Sequence, residues 1–288
     1  MFWAGVAIVF VCVFGGYIVM GGNILVIAVA APKEMLIIGG AAVGAFLIAN
    51  SKVVVGKMGP AFQDLLRGPM YGKQDYLELL SLMYMIFKLT RTKGMLALEQ
   101  HIENPHESKL FQQFPKIMND HHVVTFLCDY LRMMTMGTDD PHQMEDLMNE
   151  EMETHHKERH AVSHAFTNMG DGLPALGIVA AVLGVIKTMG SIDQPPVVLG
   201  KMIGGALVGT FLGVLLAYGL VSPIGTALSG IYDEEGRFYQ CIKTGIIAFL
   251  SGAAPTVALE FARKTISSDN RPSFYDVEQA VANLPSPE

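Results

Sequence analysis

Gly170-Asp171-Gly172-Leu173-Pro174 opens an apolar run that lasts to Met189; after a short polar interval a second apolar run extends from Ile203 to Val221. A helix rises ~1.5 Å per residue, so runs of this length cross, or nearly cross, a ~30 Å hydrocarbon core. The two read as a transmembrane hairpin. Gly177, Ala180, Ala181 and Gly184 in the first run, and Gly205, Gly209, Gly213 and Ala217 in the second, recur mostly every four residues. Such small-residue faces let helix backbones approach closely in lipid, where burying apolar surface gives no drive for association. After Pro174 neither run holds an Asp or Glu, and the first polar candidate is Thr210, on a face adjoining the glycine ladder. An ion path at depth ordinarily needs an ionisable or polar relay. Either the chain conducts nothing, or a partner brings the carboxylate.

Outward from this pair, Met1 to about Met20 is apolar almost throughout, with Gly5, Gly15 and Gly16 as packing notches; this is the first span. No basic stretch precedes it and no cleavage signal follows, so a retained helix is expected rather than a signal peptide. Ile24 to Ala31 is apolar but too short to span alone. With Pro32-Lys33-Glu34 interrupting, it is expected at the membrane interface. The second span is expected from Met35 to Val55, with Gly40 and Gly44 four apart. Lys52, Lys57, Arg67 and Lys73 follow span two, and Arg237 and Lys243 follow span four; Lys33 and Lys201 are the basic residues of the other two intervals. The positive-inside rule then puts both termini and the long middle segment in the cytoplasm of a multi-pass inner-membrane protein.

The middle segment reads as helical. Asp75 to Lys93 is a dense apolar run that Gly94 interrupts before Leu96 to Ile102 resumes it, and Asn104-Pro105 marks a turn. Val123, Phe126, Leu127, Tyr130, Leu131 and Met134 form one apolar helical face. Asp140 before Pro141, with Gln143 three after the Asp, signals a helix start. That helix is expected to run to about Asn168 and feed into span three. Gly245 to Ala254, broken by Pro255, is expected as a buried helix, and Asn283 to Glu288 as a frayed end. The fold class expected is thus an all-α membrane protein. It has four transmembrane helices, a large helical cytoplasmic domain between spans two and three, and a helical C-terminal tail. The divisions fall at residues 1–56 (spans one and two), 57–170 (cytoplasmic helices), 171–224 (spans three and four) and 225–288 (tail).

Composition agrees. The chain has 288 residues, 51% of them hydrophobic, a mean hydropathy of +0.36, and still 27 acidic and 20 basic residues. That mixture suits a polytopic membrane protein with a substantial water-facing part. A net charge of -7 without a basic face argues against a nucleic-acid binder. Cys12, Cys128 and Cys241 lack metal or redox spacing and are expected as reduced, buried thiols. His156, His160 and His164 share a helical face beside His155, yet His156-Lys157-Glu158-Arg159-His160 is not HExxH. They are read as solvated, as is the acidic stretch Glu150, Glu151 and Glu153. No phosphate loop, nucleophile elbow or paired-carboxylate site occurs, so neither enzymatic activity nor a cofactor or metal is expected.

Gly170-Asp171-Gly172-Leu173-Pro174-Ala175-Leu176-Gly177-Ile178-Val179-Ala180-Ala181-Val182, Val208-Gly209-Thr210-Phe211-Leu212-Gly213 and Ser222-Pro223 closely resemble the MotA/TolQ/ExbB proton-channel family, in its flagellar-stator branch. Phe14-Gly15-Gly16-Tyr17, Leu98-Glu99-Gln100-His101-Ile102-Glu103-Asn104-Pro105 and Arg271-Pro272-Ser273-Phe274 extend the resemblance over nearly the whole chain. It implies a stator subunit that converts ion flow into flagellar rotation. Five such subunits would ring two helices of a MotB-like B subunit, which brings the membrane aspartate and the cell-wall anchor. It also implies contact with the rotor protein FliG through residues 57–170, the torque domain. Pro174 and Pro223 match family prolines tied to channel function and torque, although prolines at helix ends are common without a function. Thr210 and Ala181 match positions facing the partner aspartate, while a lone membrane threonine more often bonds its own i-4 carbonyl. Asp171 matches an acid at the inner channel mouth, and it is also placed to cap span three; the two roles are compatible. Arg91 and Glu99 match the rotor-engaging pair, or they are solubilising surface. The transported ion implied is H+, with Na+ the rival because the choice depends partly on the partner. A TolQ/ExbB-like energy-transducing subunit and a non-conducting membrane scaffold are the alternative functions.

Overall fold

In the computed structural model, residues 2–285 are described, and every regular element among them is helical. In chain order these are α1 (Phe2–Phe10), a π-helical turn (Val11–Gly15), α2 (Gly16–Val19), α3 (Ile24–Ala49), α4 (Lys52–Arg67), α5 (Lys73–Lys93) and α6 (Leu96–Glu103). A 3₁₀ turn at Phe111–Gln113 leads to α7 (Pro115–Met118), α8 (His121–Thr135), α9 (Pro141–Met189) and α10 (Pro196–Leu216). A second π-helical turn (Ala217–Val221) precedes α11 (Ser222–Leu250), α12 (Pro255–Lys264) and α13 (Phe274–Ala282). Of the frayed end expected at Asn283 to Glu288, residues 286–288 lie outside the described residues.

Four helical stretches among the described residues are long and apolar enough to cross a membrane: Phe2–Val19, Ile24–Ala49, Pro141–Met189 and Pro196–Leu250. The second corrects the sequence reading. α3 runs unbroken through Pro32, so Ile24 to Ala31 is the first part of span two and not an interfacial segment. The helix ends at Ala49, and Val53–Val55 belong to α4. Proline is tolerated inside membrane helices because neighbouring helices and small backbone adjustments satisfy the freed carbonyl. Lys33 and Glu34 accordingly lie within the span. Asn23 caps α3 by accepting the Leu25 N–H at 3.0 Å, and Gly21, at φ +79, makes the preceding turn.

The chain forms two compact units, Met1–Gly68 with Glu158–Ile231, and Pro69–Lys157 with Tyr232–Glu288. In the first, α3 packs on α10. Ile38 and Ala42 of α3, Leu173 and Ala180 of α9, Val208 and Leu212 of α10, and Ala217 make its core. Phe14 in the first π turn meets Phe211 edge-on with centroids 6.0 Å apart. α4 buries Ala61 and Leu65 and pairs with α9 through Lys57–Glu158 (3.1 Å) and Asp64–Arg159 (3.4 Å). These half-exposed pairs orient more than they stabilise, at about 0–1 kcal/mol each.

The second unit is an ordinary water-facing helical core. Its α5 buries Tyr76, Leu79, Leu80, Leu82, Met83 and Ile86 among α8, α11 and α12. Phe87 stacks on Phe249 at 4.4 Å and Tyr71 on Phe238 at 3.8 Å. Each of Val123, Phe126, Leu127, Tyr130, Leu131 and Met134 is buried, as their spacing predicts. Asp140 accepts the His142 N–H at 2.9 Å and starts α9 where the sequence places the start. Gly94, at φ +84, ends α5. The stretch from Gly245 is part of α11 up to Leu250, and a turn with Gly252 at φ +92 leads into α12. Cys128 and Cys241 are buried, whereas Cys12 is exposed on the first span. His155 is not simply solvated: it lies 3.7 Å from Glu235 and packs on Tyr239.

Candidate functional site: a glycine seam and a buried carboxyl

Within the first unit, α9 and α10 run antiparallel with glycine set against backbone at successive levels. A Cβ placed on Gly177 would stand 2.9 Å from the Gly209 carbonyl oxygen, 3.0 Å from Gly213 Cα and 3.3 Å from Thr210 Cα. One placed on Gly213 would be 2.7 Å from the Leu173 carbonyl oxygen and 2.8 Å from Gly177 Cα. Gly184 meets Ala206 in the same way, with Cα 3.0 Å from the added carbon. The two backbones touch without side chains between them, the contact that small residues spaced by four permit.

Pro174 and Pro223 fall at different levels of this seam: Leu173, next to Pro174, meets Gly213, and Ser222, next to Pro223, meets Gly170. The residue four before Pro174 is Gly170, whose carbonyl a proline at 174 leaves without its helical N–H. Gly170 packs against Ser222, the residue immediately before Pro223, and the Ser222 hydroxyl is buried with no hydrogen-bond partner. Neither proline ends a helix: Pro174 lies inside α9, and Pro223 is the second residue of α11, which continues to Leu250. Asp171 is exposed in mid-helix, so it caps nothing, and that expectation is overturned. Directly ahead of Pro223, the π-helical turn Ala217–Val221 inserts a local bulge, a feature often found at functional positions in helices.

Thr210 is half-buried in α10 beside Gly209, and Ala181 is half-buried in α9. Thr167, Thr188 and Thr226 each bond the carbonyl four residues back, at 3.2, 2.9 and 3.2 Å. Thr210 makes no such bond, and among the described residues its hydroxyl has no partner.

The sequence reading missed Glu34. Its side chain is 9% exposed, its Oε2 has no hydrogen-bond partner, and a Cβ at Gly209 would stand 2.7 Å from that oxygen. A membrane acid is thus present in this chain, in span two, where only the hairpin of spans three and four had been searched. Carrying the apolar window back across Pro32 would have found it.

Arg91, near the end of α5, and Glu99, in α6, are exposed in the second unit. Next to Glu99 the buried His101 ring holds Ser108 Oγ at 2.8 Å from Nδ1.

Residues 3–94 match the family profile described as motility protein A N-terminal, and residues 119–240 match the MotA/TolQ/ExbB proton channel family. Motility protein A of Salmonella typhimurium strain LT2 is 43% identical over 98% of this chain and 95% of its own. The chain belongs to the motility protein A family. Among solved structures, C. jejuni MotAB matches with a TM-score of 0.76 at 22% identity over 94% of this chain and 98% of that one. The flagellar MotAB stator complex from Bacillus subtilis matches with a TM-score of 0.71 at 26% identity, covering 90% and 92%. The all-helical fold of this motility protein A family member, with its four membrane-crossing stretches, is the fold of those chains.

Proposed function

We propose that this chain works as the A subunit of a flagellar stator, in which a MotB-like B subunit supplies the carboxylate that carries the ion. Membership of the family makes it a stator channel subunit of flagellar motility, held in the inner membrane. The assembly proposed is a ring of five copies around two B-subunit helices, with both termini of each copy cytoplasmic and FliG as the rotor contact. The B. subtilis relative, a chain from a MotAB complex, supports the partner. The absence of basic residues from Met20–Asn23, the connection between the first two spans, supports the orientation.

The observation that carries the reading is the free hydroxyl of Thr210 on the glycine seam. A proton entering from outside neutralises the partner's carboxylate, which removes most of the cost of its facing an apolar wall. Thr210 can give a hydrogen bond to the carboxylate and accept one from the acid, while Ala181 leaves room for it. Release to the cytoplasm past Asp171 restores the charge. Around the ring each cycle would step the A subunits past the partner, with Pro174 and Pro223 setting where α9 and α11 flex. Arg91 and Glu99 would pass the motion to FliG. The drive is ~2.3 kcal/mol per charge per 100 mV of membrane potential, plus the pH gradient.

Thr210→Val, which keeps the shape and removes the hydroxyl, is expected to lower proton flux through the complex with a B subunit, with assembly unchanged. Thr210→Ser should restore it. Flux in Thr210→Val equal to wild type would remove Thr210 from the path. Swimming in sodium-free medium, abolished by a protonophore, is the result expected for H+ as the coupling ion.

A further inference from the structure

Glu34 is a second acid for which the mechanism above has no use. It is the eleventh residue of the 26-residue α3, about 15 Å along the helix from Ile24 at 1.5 Å per residue. The residue is 9% exposed, and its buried Oε2 bonds nothing. That oxygen is aimed at the seam. The position a Cβ would take on Gly209, 2.7 Å from Oε2, is also 3.1 Å from Ala180 Cβ and 3.2 Å from the Ala181 N. Gly209 lacks a side chain where the carboxyl stands. Facing Glu34, α9 presents Ala180 and Ala181, and α10 presents Gly209 next to Thr210. None of these carries charge, and Lys33 on α3 is exposed. Ionisable groups within membrane spans are costly and mark ion paths. A buried polar group left without a partner also needs an explanation.

We propose that Glu34 is a proton-exchanging site of the channel wall, in series with the partner's carboxylate. A hydronium ion reaching the seam from outside protonates Oε2 and leaves as water. The O–H bond then breaks as the proton passes to the partner's carboxylate, directly or through water, and Glu34 returns to carboxylate. No electrons move and no other reactant is needed. The proposal rests on the stator reading and adds a second protonation to each transfer.

The test uses the complete complex of this chain with a B subunit, reconstituted in liposomes. Dicyclohexylcarbodiimide, an apolar reagent that attacks protonated carboxyls, is expected to modify the peptide containing Glu34, faster at pH 6 than at pH 9, as read by mass spectrometry. Glu34→Gln is expected to assemble and to lower flux under an imposed potential by roughly a hundredfold, the lower end of what a positioned proton-transfer group contributes. Glu34→Asp should retain part of the flux with a displaced pH profile, a shift that loss of packing alone does not produce. Wild-type flux in Glu34→Gln at every pH, or no modification of Glu34 in the wild-type complex, overturns the proposal. Should Glu34→Gln fail to assemble, the labelling of wild type decides. A wild-type complex that conducts nothing would instead strike the stator reading, while labelling would still report whether Glu34 exchanges a proton.

Discussion

His101 shows what one buried residue does close to an exposed one, Glu99. Burial, and then the charge of Lys93, hold its imidazole below the usual histidine range. The neutral ring shares a hydrogen bond with Ser108 Oγ through Nδ1 at 2.8 Å, and that oxygen accepts the Phe111 N–H at 3.4 Å. A base lowered in the folded state costs stability when it must protonate. Stability is therefore intact above the unfolded value of ~6.5 and is lost as pH falls from there towards the folded value. Hydrogen-exchange protection of Leu96–Glu103, corrected for intrinsic rate, is expected to drop below pH ~6.5 by up to roughly tenfold per pH unit. His101→Asn should flatten that response. A profile that is level in the wild type would remove the linkage. Because α6 carries Glu99, the same acid-induced loosening would be felt at the proposed rotor surface.

Among elements, the α9–α10 pair depends on contacts that tolerate no added carbon. Gly213→Ala would drive a methyl into the Leu173 carbonyl and the Gly177 backbone, neither of which is a flexible side chain. Overpacking of this kind costs about 1–3 kcal/mol. The control is Gly200→Ala, where nothing lies within 4 Å and the change gains up to ~1 kcal/mol of helix propensity. Thermal unfolding in detergent should put the first well below wild type and the second at or above it; equal midpoints would mean the helices do not pack as described. This seam was legible in the sequence because glycines every four residues have one geometric meaning in a membrane helix. The start of span two was not. Pro32-Lys33-Glu34 carries the signs of a break in water, but in a bundle the proline is absorbed, Lys33 reaches outward and Glu34 is enclosed. The π turns at Val11–Gly15 and Ala217–Val221 follow from packing and leave no pattern in composition. Asp171 reads as a cap because Gly170-Asp171-Gly172 stands directly before the apolar run, whereas α9 runs unbroken from Pro141 to Met189.

For the whole molecule, the unit limits at Gly68/Pro69, Lys157/Glu158 and Ile231/Tyr232 separate a small-residue membrane part from a part with an ordinary large-residue core. The first leaves Ile178, Val182 and Ile186 of α9 and Leu207 of α10 exposed, apolar surface for lipid or neighbouring subunits to cover. The second is a finished hydrophobic core, and its surface charges are available for function. Arg91 and Glu99 sit there on either side of the Gly94 turn, and neither forms an ion pair among the described residues. Reversing such charges costs little stability, about 0–1 kcal/mol each. Charge complementarity with a separate partner governs encounter and register instead, and it weakens as salt screens it. Arg91→Glu with Glu99→Lys is therefore expected to leave expression, membrane insertion and the unfolding midpoint close to wild type while abolishing swimming in soft agar. Compensating reversals on the rotor protein should restore part of it. Normal swimming in the doubly reversed chain would assign these residues to solubility, and a collapse of expression would place them in the fold rather than at an interface.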